Sequence, residues 1–253
     1  MRSRRAVIAG LSAVAVGASG ATAWARLRPP ADAPVPGAMA AAALVQAPPT
    51  ADQPTAHLPL EPAAATPLRA GATGVRVVAL QAALRGLGYQ IGTPGAYDDE
   101  TAHGVIAFQK VHGLPRTGVA DAATLAALRA PSPPTARTAA PGFHVEVDLA
   151  RQVAYFVHDG VVGRVYDVST GRDAPGKHTP TGEFTVTRKI DGWRHAPLGP
   201  MWRPSYLGYD GIAFHGGEPV RAFPDSNGCV RMTDRSVDET YGQLTVGTRV
   251  SIY

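Results

Sequence analysis

Cys229 is the only cysteine in a chain of 253 residues, and it stands in Ser226-Asn227-Gly228-Cys229-Val230-Arg231. His215 lies 14 positions upstream (229 − 215), in Ala213-Phe214-His215-Gly216-Gly217. A lone cysteine in a chain that reads as exported has no intramolecular partner, so it is either a buried bystander or a working thiol. A thiol becomes a nucleophile when an adjacent base takes its proton, and an imidazole suits that task. The glycines around both residues let backbone amides approach a reacting carbonyl, with Gly228 the expected oxyanion donor. The pattern points to acyl transfer, with Cys229 as nucleophile and His215 as proton donor and acceptor. Arg231, two residues on, shares a strand face with Cys229 and would favour the thiolate. Its other reading is a surface pair with Asp225 or Asp234. Ser226 reads as a structural hydrogen bonder. Asn227 is the only asparagine in the chain, and an Asn-Gly turn with an amide donor explains it.

Other candidates are weaker. Trp202, Tyr206 and Tyr209 are expected either to wall a substrate groove or to join a core. His178 and His195 flank predicted loops and read as surface residues. No His-Glu-x-x-His or paired-cysteine spacing is present, so neither a metal nor another cofactor is expected.

The chain carries a formal charge of +4 and a pI near 9.4. The positive charge comes from 21 arginines and 3 lysines. No basic run interleaved with aromatics occurs, so no nucleic-acid partner is expected. Arg2, Arg4 and Arg5 precede an apolar stretch at 6–18, and Ala23-Trp24-Ala25 forms a cleavage signature. Residues 1–25 therefore read as an export signal, cleaved or retained as an N-terminal membrane anchor; the twin-arginine and general routes are both open. The bulk of the chain is expected in the cell envelope or wall.

Residues 26–67 hold ten prolines and no apolar period, the mark of an extended spacer. A second linker is expected at 130–142. Between and after them lie two blocks, 68–129 and 143–253. In the first, Val77, Leu80, Leu84 and Leu87 fall on one helical face, with Gly88 as the stop. Asp98 is a good N-cap for a second helix closed by Gly113, and 124–128 is a short third helix. In the second block, strands are expected at 144–149, 153–157, 161–168, 183–190, 211–214 and 249–253, with one helix at 234–244 capped by Thr233. The fold class is thus multidomain: a small three-helix domain followed by a mostly-β, sandwich-like domain.

Gly74-Val75-Arg76-Val77-Val78-Ala79-Leu80-Gln81, Leu87-Gly88-Tyr89, Gly95-Ala96-Tyr97-Asp98 and Phe108-Gln109 resemble the peptidoglycan-binding domain 1 family. The His215 and Cys229 stretches resemble the signature segments of YkuD-like L,D-transpeptidase catalytic domains. Val168-Ser169-Thr170-Gly171 and Thr179-Pro180-Thr181-Gly182 resemble that family's upstream stretch. The resemblance implies that Cys229 attacks a tetrapeptide stem of peptidoglycan and releases D-alanine. A second stem then accepts the acyl group, giving a 3→3 cross-link. It also implies that the Gly216 carbonyl orients His215, and that carbapenem-type β-lactams acylate the thiol. Where the family usually has Ser-His-Gly-Cys, this chain has Asn227. Two alternatives stay open: an L,D-carboxypeptidase with the same nucleophile, and an inactive wall-binding protein.

Overall fold

The computed structural model describes residues 66–208, 211–217 and 219–253. The expected signal segment, nearly all of the 26–67 spacer, and Tyr209 lie outside the described residues. Among the described residues, no helix is long and apolar enough to cross a membrane.

Among the described residues three helices come first: α1 (Val75–Gly86), α2 (Asp99–Val111) and α3 (Ala122–Arg129). Asp98 caps α2 by accepting the Thr101 amide at 2.9 Å, and Asp121 caps α3 through Thr124 at 2.8 Å. Val77, Leu80 and Leu84 are fully buried on one face of α1, as their spacing requires. Next come β1 (Phe143–Asp148), β2 (Val153–His158), β3 (Val161–Asp167), β4 (Gly182–Thr185), β5 (Arg188–Lys189), β6 (Trp193–Ala196), β7 (Gly199–Tyr206), β8 (Ala213–Gly216) and β9 (Val230–Arg231). Helix α4 (Asp234–Thr240) and strand β10 (Arg249–Ile252) close the chain. Thr233 caps α4 through the Ser236 amide, and the helix ends four residues earlier than its sequence suggests.

One sheet runs β3-β2-β1-β10-β4; the other runs β5-β7-β8-β9, with β6 added to β7. Val145, Val147, Ala154 and Phe156 of the first pack with Phe214 and Val230 of the second in one apolar cluster. The single strand expected at 183–190 divides between the two sheets. Val186 donates to Thr248 at 2.9 Å in the first sheet, and Thr187 donates to Tyr206 at 2.9 Å in the second. Strand β7, the longest, was not expected from the sequence. Pro200 and Pro204 interrupt its pattern, and it carries a bulge between Trp202 and Ser205 with Arg203 at φ 45°.

The helical block is not a separate body on a tether. Val153, Tyr155 and Val157 of β2, with Val165 of β3, belong to the same cluster as Leu80, Leu84, Tyr89 and Phe108 of the helical block. Strand β2 therefore buries both faces, which is why Val153-Ala154-Tyr155-Phe156-Val157 is apolar without alternation. The 130–142 linker is pinned as well. Glu146 accepts the Arg137 amide at 2.7 Å and the Thr138 amide at 2.9 Å, and Arg249 donates to the Pro141 carbonyl at 2.7 Å.

Polar contacts weld the same seam. Lys110 on α2 is fully buried and pairs with Asp167 at the end of β3. It also donates to the carbonyls of Gln152 and Val168, each at 2.9 Å. His103 holds the other Asp167 oxygen at 2.7 Å. Burial pulls the Lys110 pKa down while Asp167 pulls it up. Further along, Gln90 donates to Thr233 at 3.3 Å and accepts the Ser236 hydroxyl, and Thr233 donates to Glu100 at 3.0 Å.

Removing one member of a buried pair strands the other charge, at a cost of ~3–5 kcal/mol. Lys110→Met is expected to lose about that much in urea denaturation. Because helices and sheets share one cluster, calorimetry of the wild type should show a single cooperative transition. Two resolved transitions would count against this account of the seam.

Candidate active site

The parallel pair β8–β9 aligns Phe214 with Val230 and His215 with Arg231. Strand side chains alternate, so Phe214 and Val230 enter the core while His215 and Arg231 face the other way. Cys229, one residue before Val230, shares the outward face with Arg231. All three line one cavity of about 570 Å³. Asn227 and Gly211 border it, as do Tyr206 and the β6–β7 turn at Pro197 and Leu198.

The loop that presents Cys229 is held from below. The Thr170 carbonyl accepts the amides of Asp225 at 3.0 Å and Ser226 at 2.9 Å. Ser169 and Arg231 exchange backbone hydrogen bonds of 2.9 and 3.0 Å. Thr179 donates to the Gly228 carbonyl at 2.8 Å. Ser226 is fully buried; its hydroxyl donates to the Cys229 carbonyl at 2.6 Å and accepts the Gly228 amide at 3.1 Å. Ser226 thus closes the turn, as a structural hydrogen bonder would. Gly228 adopts φ 118°, and a side chain there would crowd Ile212 at 3.1 Å.

This geometry corrects several expectations. The Gly228 amide is taken by Ser226 and does not point free into the cavity as an oxyanion donor. The turn role given to Asn227 falls to Ser226, which leaves Asn227 half-buried on the cavity wall. Arg231 pairs with neither Asp225 nor Asp234; its guanidinium donates to the Pro219 carbonyl at 3.1 Å. Asp234 instead accepts the Gly217 amide at 2.7 Å. Trp202 points away from the cavity, its indole donating to Asp238 at 2.9 Å, whereas Tyr206 lines it. His178 is exposed beside Asp173, at 3.6 Å, and His195 is exposed on β6.

His215 is buried, and its Nδ1 hydrogen-bonds the Gly216 carbonyl. A carbonyl only accepts, so Nδ1 carries the proton of the neutral ring and Nε2 keeps its lone pair. Gly216 has no room for a side chain: a Cβ would strike the Asp234 carboxylate and sit 3.0 Å from Trp202. Burial is the main force on the imidazole, and with the Arg231 charge it brings the pKa down to about 4 against the pull of Gly216. The Cys229 thiol donates to the Gly211 carbonyl at 3.1 Å. Burial pushes its pKa up, while the Ala213 amide and Arg231 oppose that rise. At neutral pH the pair is thus thiol and imidazole, both uncharged. Such a pair can transfer a proton as the sulfur attacks, with Arg231 close enough to favour the negative charge.

Two residues at the cavity had no sequence signal. Arg188 on β5 and Arg194 on β6 both line it. Arg188 lies over the Tyr206 ring, 3.9 Å from its centre. Neither stands in a motif, and only the pairing of β5 and β6 with β7 brings them to the site. Among the described residues, no group of three or more His, Cys, Asp or Glu side chains could hold a metal ion.

Comparison with known proteins agrees with this architecture. A family model described as the L,D-transpeptidase catalytic domain matches residues 142–252, and one described as "Putative peptidoglycan binding domain" matches 73–128. The crystal structure of the L,D-transpeptidase (residues 123–326) from Xylanimonas cellulosilytica is 39% identical with a TM-score of 0.69, covering 76% of this chain and 100% of that one. "Putative L,D-transpeptidase YqjB" of Bacillus subtilis is 35% identical over 37% of this chain; the match spans 61% of that relative.

The pKa directions make a test. Alkylation of Cys229 by iodoacetamide should rise with pH to a midpoint above that of an ordinary thiol, ~8.5. The His215 ring should titrate near 4 by NMR. Arg231→Gln should raise both midpoints, since the arginine charge lowers both. A thiol midpoint below neutrality would mean a preformed thiolate–imidazolium pair and overturn this picture.

Proposed function

The chain belongs to the L,D-transpeptidase family, and on that premise we propose that it cross-links peptidoglycan through a thioester on Cys229. The observation that carries the reading is the placement of Cys229, His215 and Arg231 on one face of β8–β9, at the wall of one cavity. In the proposed reaction, Nε2 of His215 takes the thiol proton as Sγ attacks the carbonyl carbon of the third residue of a tetrapeptide stem. That residue is meso-diaminopimelate or an equivalent diamino acid. The bond to the terminal D-alanine breaks, and His215 returns the proton to the departing amine. The side-chain amine of a second stem then attacks the thioester, gives its proton to His215, and leaves a 3→3 cross-link with the thiol restored. If water attacks instead, the outcome is an L,D-carboxypeptidase.

The fit of each residue supports these roles. Nδ1 on Gly216 leaves Nε2 as the basic atom, and proton transfer by a positioned side chain contributes ~10²–10⁴ in rate. Ser226 and Gly228 shape the loop around the nucleophile, and Asn227 stands on the cavity wall. The helical block would dock the chain on wall glycan-peptide, and the site of action would be the cell envelope. Carbapenem-type β-lactams, strained acyl donors, would acylate the same sulfur.

Purified protein incubated with a defined disaccharide-tetrapeptide should give cross-linked dimer by mass spectrometry. Tripeptide alone would point to the carboxypeptidase, and unchanged substrate would sink both. Intact mass after carbapenem treatment should show one adduct, absent in Cys229→Ala. Stopped-flow acylation should fall ~10²–10⁴-fold in His215→Ala, and far less in Asn227→Ala. The reverse ranking would move the base away from His215.

A further inference from the structure

The cavity holds more positive charge than the acyl-transfer chemistry calls for. Arg231 flanks the nucleophile, but Arg188 and Arg194 reach the cavity from β5 and β6, through a different part of the sheet. The described lining residues include three arginines and no aspartate or glutamate. Arg188 rests on the Tyr206 ring rather than on a carboxylate, and the contact fixes the plane of its guanidinium at the wall. Arg194 donates to the neighbouring His195 carbonyl at 2.8 Å, which uses one of its five N–H groups. Ala196, Pro197, Leu198, Pro200 and Met201 surround these groups with apolar surface. Arginine with no acid among the described lining residues, beside an apolar wall, is suited to a planar, two-oxygen anion, which its fork binds in bidentate fashion.

We propose that Arg188 and Arg194 form a carboxylate-binding subsite that selects acyl donors carrying a free carboxylate near the bond to be broken. The assignment rests on the cross-linking reading above, because that reading names the donor. A tetrapeptide stem offers two such groups: the terminal carboxylate of the departing D-alanine, and the side-chain carboxylate of the diamino acid in third position. Neutralising the recognised group as an amide would leave the arginines facing an uncharged partner. The loss expected for one charge-assisted hydrogen bond is about 10- to 100-fold in kcat/KM.

The test uses the full chain and three tetrapeptide donors: unmodified, amidated at the third-residue side chain, and amidated at the terminal carboxylate. Release of the fourth residue is followed for wild type, Arg188→Gln, Arg194→Gln and Arg188→Lys. One amidated donor should lose about 10- to 100-fold in kcat/KM with the wild type, chiefly through KM. Which donor loses identifies the carboxylate. In the Gln variants the unmodified donor should fall to the level of the amidated one, while that amidated donor is unaffected, and Arg188→Lys should recover part of the difference. Equal rates for all three donors with the wild type would overturn the subsite. So would Gln variants that slow every donor by the same factor, since that marks a structural role. Alkylation of Cys229 by iodoacetamide at the wild-type rate in each variant shows that the loop is intact. A folded wild type that releases the fourth residue from none of the donors removes the cross-linking reading itself, and the subsite with it.

Discussion

The ammonium of Lys110 is the contact on which the rest of the molecule leans. It makes three bonds to the sheet domain: to Asp167 and to the carbonyls of Gln152 and Val168. Each leads toward Cys229. Gln152 clasps Thr170 through both ends of its amide, at 2.6 and 2.8 Å, and the Thr170 carbonyl holds the amides of Asp225 and Ser226. Val168 precedes Ser169, which is tied to Arg231. A buried charge tolerates little displacement, because every acceptor lost costs its full desolvation penalty. The Cys229 loop therefore inherits its position from a residue in the helical block.

The site shows how burial and charge divide the work. Desolvation alone would leave Cys229 a reluctant nucleophile and His215 a weak base, each held neutral. Arg231 acts on both, but in opposite senses for catalysis: it eases the thiolate and opposes the imidazolium. A resting pair with little charge separation follows, and in the proposed reaction ionisation waits until a carbonyl is there to receive the sulfur. The Gly216 carbonyl fixes the proton on Nδ1, so under the proposed mechanism a main-chain atom does what a carboxylate does in many triads.

How much of this was readable in the sequence depended on whether the signal was local. The turn glycines, the Thr233 and Asp98 caps, and the period of α1 are short-range features, and the helices came out within a few residues. Cys229 and His215 could be picked out as candidates because both stand among glycines, and the fold brings the two to one cavity. The apolar run in β2 also carried information: five residues without alternation mean two buried faces, and that is the seam with the helices. Strand β7 was hidden because Pro200 and Pro204 break its pattern, and Pro204 lies within the bulge between Trp202 and Ser205. Arg188 and Arg194 were hidden because their meaning lies in tertiary pairing, not in their neighbours. The partners of Arg231 and the Gly228 amide were hidden for a similar reason, since competing acceptors a few residues apart cannot be ranked without coordinates.

The pinned linker has an evolutionary corollary. Segments that match separate families are commonly thought of as exchangeable parts joined at a neutral breakpoint. Here a crossover within 130–142 would deliver a helical block without partners for its ammonium group, or a sheet whose Tyr155 and Val165 face solvent. Shuffling at this junction succeeds only if both sides of the seam travel together, so the two blocks are bound to change in concert.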